Sequence, residues 1–438
     1  MNHPSVQAPV APTRWWRLSA MALPLAFVTL PLYVMLPHRY AQEWQVPLAS
    51  LGMVLLGVRT LDAVSDPWLG QLCDRWFTQG PARVLFTVAW LSLLLSAGFA
   101  ALWLPHLVLQ ALALPVDATH VLVLASVCLV ITYLAATSLN LCHQSWGTRL
   151  GGDVAQQSRI VAWREGFALS GVVMASVLPS VVGPEVLVIC LAVFLWLGCA
   201  GWRGALAPSQ ARPVDTHTDA VSTVRLLLQR PAFRALLSVF MLNGIASAVP
   251  ATLVMFFIQD RIQAPAGHEA YFLGLYFLAA ALSFAFWLAC VQRIGLIRTW
   301  GLGMAWSVAV FVWALSLSAG DVWAYGLLCA ASGWGLGADL VVPGALLTGV
   351  IQRSGDAQHS EGRYLGWWQV ATKLNLALAA GVTLPLLSWL GYSVGTRDAS
   401  GLLALSWIYA GLPCVLKLLA AWHLYRTHHL IQPQGVTS

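Results

Sequence analysis

The sequence predicts an all-α integral membrane protein whose twelve transmembrane helices fall into two halves of six. Three observations carry this prediction. The 438 residues are 59% hydrophobic and only 9% charged, against about 25% charged in an ordinary soluble domain. Apolar runs of roughly 20 residues, the length a helix needs to cross a bilayer, recur along nearly the whole chain. The runs are longer than barrel strands and do not alternate as such strands must, so the spans are helices that satisfy their own backbone groups in lipid.

The elements follow in order. Residues 1–16 are an N-terminal cytoplasmic tail, polar and Pro-rich at its start. The first apolar run, from about Leu18 to Leu36, is too long for a signal-peptide core and lacks a small-residue cleavage site, so it reads as the first span. With boundaries good to a few residues, the spans fall roughly at 17–38, 47–74, 82–104, 119–146, 158–180, 184–203, 232–259, 270–291, 297–318, 321–351, 362–390 and 401–425. The longest polar stretch, "GALAPSQARPVDTHTDAVSTVRLLLQR", separates the sixth span from the seventh. It sets a cytoplasmic linker at 204–231 between an N-terminal half, 17–203, and a C-terminal half, 232–426, followed by a tail at 427–438. Pro24, Pro31 and Pro37 mark expected kinks in the first span.

The loops orient the chain. With both termini in the cytoplasm, the cytoplasmic segments hold sixteen arginines and the opposite side three, Arg39, Arg261 and Arg397. That is a strong positive-inside bias, and it predicts a multi-pass protein of the cell inner membrane. The net charge of +6 is scattered over short loops rather than gathered on one face, so no nucleic acid partner is expected. The eight cysteines show no CxxC and no regular spacing, which argues against a disulfide framework or a metal centre. No nucleophile–base pairing or phosphate loop suggests an enzyme, and no organic cofactor is expected.

Ionisable groups at span centres cost about 2.5–3.5 kcal/mol each on the insertion scale and are functional candidates by default. Arg59, Asp62, Asp66, Arg164, Glu165, Asp339, Lys373 and Lys417 fall inside spans. The densest group lies in "RTLDAVSDPWLGQLCDR", residues 59–75. Asp62 and Asp66 are four residues apart and share a helical face. About 6 Å apart at an effective dielectric near 20, two ionised carboxylates repel by roughly 3 kcal/mol. Arg59, one turn before Asp62, is expected to match one of them. The other must hold a proton, find a distant base or bind a hard cation. Pro67 frees a backbone carbonyl one turn earlier as a further oxygen donor. A static ion network locking helices together is the alternative.

This stretch resembles the R-x-x-D-x-x-x-D-P-x-x-G-x-x-x-D-R signature of the glycoside–pentoside–hexuronide:cation symporters, a branch of the major facilitator superfamily. "PLYVMLPHRYA" (31–41), "NLCHQSWGTRLGGDVAQQSRIVAWREGFALSGV" (140–172) and residues 337–392 are similar to the same family. The resemblance covers essentially the whole chain. It implies the major facilitator fold, with a substrate site at midplane between the halves. It further implies that Asp62 and Asp66 bind the coupling cation, Na⁺ or H⁺, with Ser65 and Thr137 as oxygen donors. Lys373 then contacts the cation site and, with Arg59, couples it to cargo. Arg164, Asn140 and Gln144 fall at substrate-site positions, and Gly70, Asp74 and Arg75 form a gating loop. The first span carries no acid where galactoside carriers of this family have one, and Asn140 and Gln144 replace an aspartate and a tryptophan.

Two further residues are substrate candidates on their own chemistry. His143 offers a proton carrier or a donor, or else bonds a carbonyl. Trp368 offers a face for a sugar ring, or else anchors the helix, as many of the 22 tryptophans must. Asp339 faces either the cavity or a gate, and Lys417 is expected to snorkel towards the cytoplasm.

The sequence thus points to a monomeric secondary active transporter, surrounded by membrane lipids, that carries a small polar solute, sugar-like, with Na⁺ or H⁺. A proton-driven exporter or lysolipid-like carrier on the same scaffold is one alternative. A membrane sensor or scaffold that transports nothing is another.

Overall fold

The computed structural model describes residues 15–149, 154–203, 230–353 and 361–431. These residues are helical almost throughout. In chain order the long segments are α1 (Trp16–Glu43), α2 (Leu48–Thr78), α3 (Pro81–Trp103), α4 (Ala118–Arg149), α5 (Val154–Val181), α6 (Pro184–Arg203), α7 (Pro231–Ile262), α8 (His268–Ile294), α9 (Leu296–Ser316), α10 (Val322–Arg353), α11 (Glu361–Trp389) and α12 (Ala399–Ile431).

Among the described residues, eleven of these segments contain a stretch long and apolar enough to cross a membrane. The sequence leads one to expect twelve. The exception is α5, which stands in the place of the fifth span. Its apolar part, Gly166–Pro179, is short because Gln156, Gln157, Arg159, Arg164 and Glu165 occupy the preceding turns. Large apolar side chains face outward along the helices, among them Trp196, Leu278 and Leu282. In water such a surface would aggregate; against acyl chains it is matched to its solvent. Trp323 and Trp389, both more than four-fifths exposed, sit at helix ends, where tryptophan is favoured at the headgroup level.

The proline expectation resolves into a specific distortion. Pro31 opens a π-helical turn, Pro31–Met35, and Pro37 lies in the first turn of the helix that follows. A proline removes an intrahelical hydrogen bond, and the widened turn takes up the misfit. Similar wide turns close α7 at Phe257–Ile262 and interrupt α12 at Trp407–Gly411.

The helices divide into two compact units. The first comprises residues 15–32, 65–149 and 154–203 of those described, and the second 33–64, 230–353 and 361–431. The packing groups residues 33–64 with the C-terminal spans. In the first unit α3 packs against α4 and α6, burying Leu95, Phe99, Leu129, Leu191 and Leu195. In the second, Phe233 and Leu236 of α7, Trp300 and Met304 of α9, Val342 and Leu346 of α10, Tyr364 of α11 and Leu424 of α12 form one core.

The reason residues 33–64 join the second unit is visible in α2 and α11. Gly52 touches Pro385, and a Cβ at Gly381 would stand 2.5 Å from the Cβ of Leu56. Neither position has room for a side chain. Small residues let membrane helices approach closely, which is the main source of packing attraction where no hydrophobic effect operates.

Candidate functional site

The close approach continues down the helices. Successive contacts between α2 and α11 are Gly52–Pro385, Leu56–Gly381, Arg59–Leu376 and Asp62–Lys373. One number climbs while the other falls, so the helices run antiparallel along one seam. Lys373 Nζ lies 3.1 Å from Asp62 Oδ2, with the side chains 20% and 5% exposed. At 1.5 Å per residue, the ion pair sits about 9–12 Å along the helices from the Leu56–Gly381 contact and about 15–18 Å from Gly52–Pro385, so the tight crossing sets its register.

Arg59 does something other than expected. It is only 2% exposed, donates from Nη1 to the Leu376 carbonyl at 2.7 Å, and lies 4.5 Å from the centre of the Tyr33 ring. Among the described residues it forms no ion pair. The carboxylate nearest in sequence, Asp62, is matched by Lys373 instead. The guanidinium's planar charge is spread onto an aromatic face and a helix carbonyl, a geometry suited to arginine.

Asp66 follows Asp62 by one turn on α2 and is half-buried, as are Ser65 and Thr137. On α4 of the first unit, Asn140 and Gln144 are exposed and adjacent, and Gln144 Nε2 donates to Asn140 Oδ1 at 3.2 Å. Arg164 on α5 is half-buried. His143 is 4% exposed and donates to the Leu18 carbonyl at 3.1 Å. The same carbonyl accepts from Trp202 Nε1 at 3.0 Å, and the Trp202 and Trp146 rings stack at a tilt 4.8 Å apart. His143 thus stands in a packed aromatic cluster, bonded to backbone, and not beside the exposed Asn140–Gln144 pair. Trp368 lies face to face with Phe240 at 3.8 Å, so one ring face is already covered. Gly70, Asp74 and Arg75 lie within α2, which runs on to Thr78. Asp74 and Arg75 are exposed in its last turns, and the gating-loop expectation becomes a helix end.

A second charge cluster escaped the sequence reading. Lys417 does not snorkel; it is 8% exposed and donates to Asp339 Oδ2 and Asn243 Oδ1, each at 2.8 Å. Asp339 Oδ1 accepts from Asn243 Nδ2 at 2.9 Å and from Trp300 Nε1 at 3.1 Å. Ser247 Oγ adds a longer bond of 3.4 Å to Oδ2. Four helices of the second unit, α7, α9, α10 and α12, meet at this carboxylate. The signal in the sequence was three polar residues inside spans, Asn243, Asp339 and Lys417. Nothing in their spacing pairs them.

The family match and the all-helical fold make the chain a transporter of the major facilitator class. The chain belongs to the MFS/sugar transport protein family, which it matches over residues 19–429, the family of glycoside–pentoside–hexuronide:cation symporters. It is a multi-pass membrane transporter and not an enzyme. Comparison with curated proteins gives no match. Among solved structures, the chain is similar to the nucleoside transporter NupG at 13% identity and a TM-score of 0.68, covering 95% of this chain and 99% of that one. A bacterial homologue of the human lysosomal transporter Spinster gives 12% identity and 0.69, covering 97% and 98%. A bacterial homologue of the iron transporter ferroportin gives 14% and 0.62, covering 95% and 99%. At these identities the likeness concerns the fold alone.

Proposed function

We propose that the chain is a cation-coupled symporter, using Na⁺ or H⁺ to move a small polar solute, a sugar or glycoside, across the cell inner membrane with both termini cytoplasmic. The observation that carries this reading is the Asp62–Lys373 pair at 3.1 Å, with Asp66 one turn further along α2. A cation bound by Asp62 and Asp66, with Ser65 and Thr137 as oxygen donors, competes with Lys373 for the same carboxylate. Binding of the ion then loosens the attachment of α11 to α2, and the cargo site responds. Coupling of this kind needs only that one ligand change the affinity for the other, typically by 1–3 kcal/mol.

The Asn140–Gln144 pair, exposed on α4, stands where galactoside carriers of the family have an acid and a tryptophan. That favours, as a second reading, a cargo other than a galactoside, including a lysolipid-like amphiphile or a proton-driven export substrate. The nucleoside named for NupG belongs to that protein.

The test is uptake into proteoliposomes of a panel of radiolabelled glycosides, nucleosides and lysolipids under imposed Na⁺ or H⁺ gradients. Accumulation that follows one gradient and is lost in Asp62→Asn and Asp66→Asn supports the proposal. Accumulation indifferent to both gradients and both substitutions overturns it.

A further inference from the structure

The first unit carries a groove of about 410 Å³ that the transport chemistry does not use. Its walls come from α1, α5 and α6: Leu23, Phe167, Phe194 and Leu197 are apolar, and Trp16 and Arg17 stand at its mouth. Gly201 makes the groove possible. A Cβ there would stand 2.6 Å from the Arg17 carbonyl, so only glycine lets α6 close on the start of α1.

The mouth has the chemistry of a headgroup site. Arg17 is exposed, and its guanidinium lies 5.6 Å from the centre of the Trp16 ring. Among the described residues it has no carboxylate partner and no hydrogen bond. Tryptophan with an arginine at a span end belongs at the level of the lipid headgroups, and basic residues beside grooves between helices attract anionic headgroups. Leu197, 51% exposed, continues the wall towards the membrane interior.

A contrasting groove shows what is particular here. In the second unit, a groove of about 370 Å³ is lined by Leu275, Leu278, Leu282, Trp306 and Trp334 with several alanines, and contains no ionisable residue. Acyl chains can cover either groove. Only the first places a cation, unpaired among the described residues, above an apolar trough.

We infer that this groove binds one anionic phospholipid from the leaflet on the N-terminal side, its phosphate on Arg17 and an acyl chain along Leu23, Phe167, Phe194 and Leu197. The inference is independent of cargo and coupling ion.

The experiment is native mass spectrometry of purified full-length protein incubated with dioleoylphosphatidylglycerol or dioleoylphosphatidylcholine, with folding checked by size-exclusion chromatography and circular dichroism. The wild type retains the glycerol lipid in preference. Arg17→Gln weakens that lipid by about five-fold, the effect of one headgroup-level cation, and weakens the choline lipid, whose phosphate is offset by its own ammonium, by less, while Arg17→Lys keeps the preference. Ala200→Trp fills an exposed position on the wall with the cation intact, and reduces retention of the glycerol lipid. Equal retention of both lipids by the wild type, a preference that survives Arg17→Gln, or retention unaffected by Ala200→Trp would overturn the inference.

Discussion

Lys373 and Asp62 meet 3.1 Å apart across the seam of α11 and α2, 311 residues apart in sequence. Removing one member of such a buried pair takes a charge partner from the other. Asp62→Asn or Lys373→Met alone should therefore lower stability, by less than the about 3–5 kcal/mol of a fully buried pair, because Lys373 keeps partial access to solvent. The double variant should recover much of the thermal midpoint while remaining unable to respond to the cation. Thermal unfolding in detergent, with and without Na⁺, separates the two effects; a double variant that still responds to the ion would remove Asp62 from the cation site.

The Asp339–Lys417 cluster behaves differently. The lysine and carboxylate are each about one-tenth exposed, and the carboxylate accepts from four groups. Lys417→Met should cost about 3–5 kcal/mol, more than either single change at Asp62–Lys373. Asp339→Asn with Lys417→Met should restore most of that loss. Uptake kinetics measured on the folded double variant then tell whether the cluster only braces four helices. An unchanged transport rate assigns it to bracing.

Packing along the seam gives a third prediction. Gly381→Ala puts a methyl 2.5 Å from the Leu56 Cβ, and overpacking of that kind costs typically about 1–3 kcal/mol. Leu56→Ala alone leaves a cavity. Together the two changes should be milder than the sum of each alone, since contacting residues are the ones that fail to add. Additive melting shifts would mean that the helices do not touch there.

Trp368→Ala tests a residue with two candidate roles. Loss of the Phe240 stack costs about 1 kcal/mol beyond burial. If stacking is its work, Trp368→Phe keeps both stability and substrate affinity, and Trp368→Ala lowers stability alone. A fall in substrate affinity for Trp368→Phe at unchanged stability would return it to the cargo site.

Much of this arrangement is legible in the sequence. Hydrophobic length identified the helices, because the bilayer imposes one thickness on all of them, and the charges of residues 59–75 stood out because lipid makes them costly. The family likeness marked Lys373. Three things were not legible. Spacing assigns Arg59 to an aspartate one turn away, yet its contacts are the Leu376 carbonyl and the Tyr33 ring, and a lysine from a distant helix pairs with Asp62. Lys417 was expected at the headgroups because a long side chain near a helix end has that option, and only the position of Asp339 and Asn243 on neighbouring helices closes it. His143 offered a polar ring at a helix end, and whether it meets cargo or a carbonyl depends on how α1 packs. Each of these concerns a choice among partners, which a one-dimensional pattern does not record; for His143 the pattern leaves both partners open, and the carbonyl is the one it meets.

The contact between Leu56 and Gly381 has an evolutionary corollary. A relative that inherits a bulkier residue at one of these sites keeps the seam only by shrinking the other. The two positions should drift in concert across the lineage, and a hybrid gene joining the front of one relative to the back of another should fail wherever it mixes an incompatible pair.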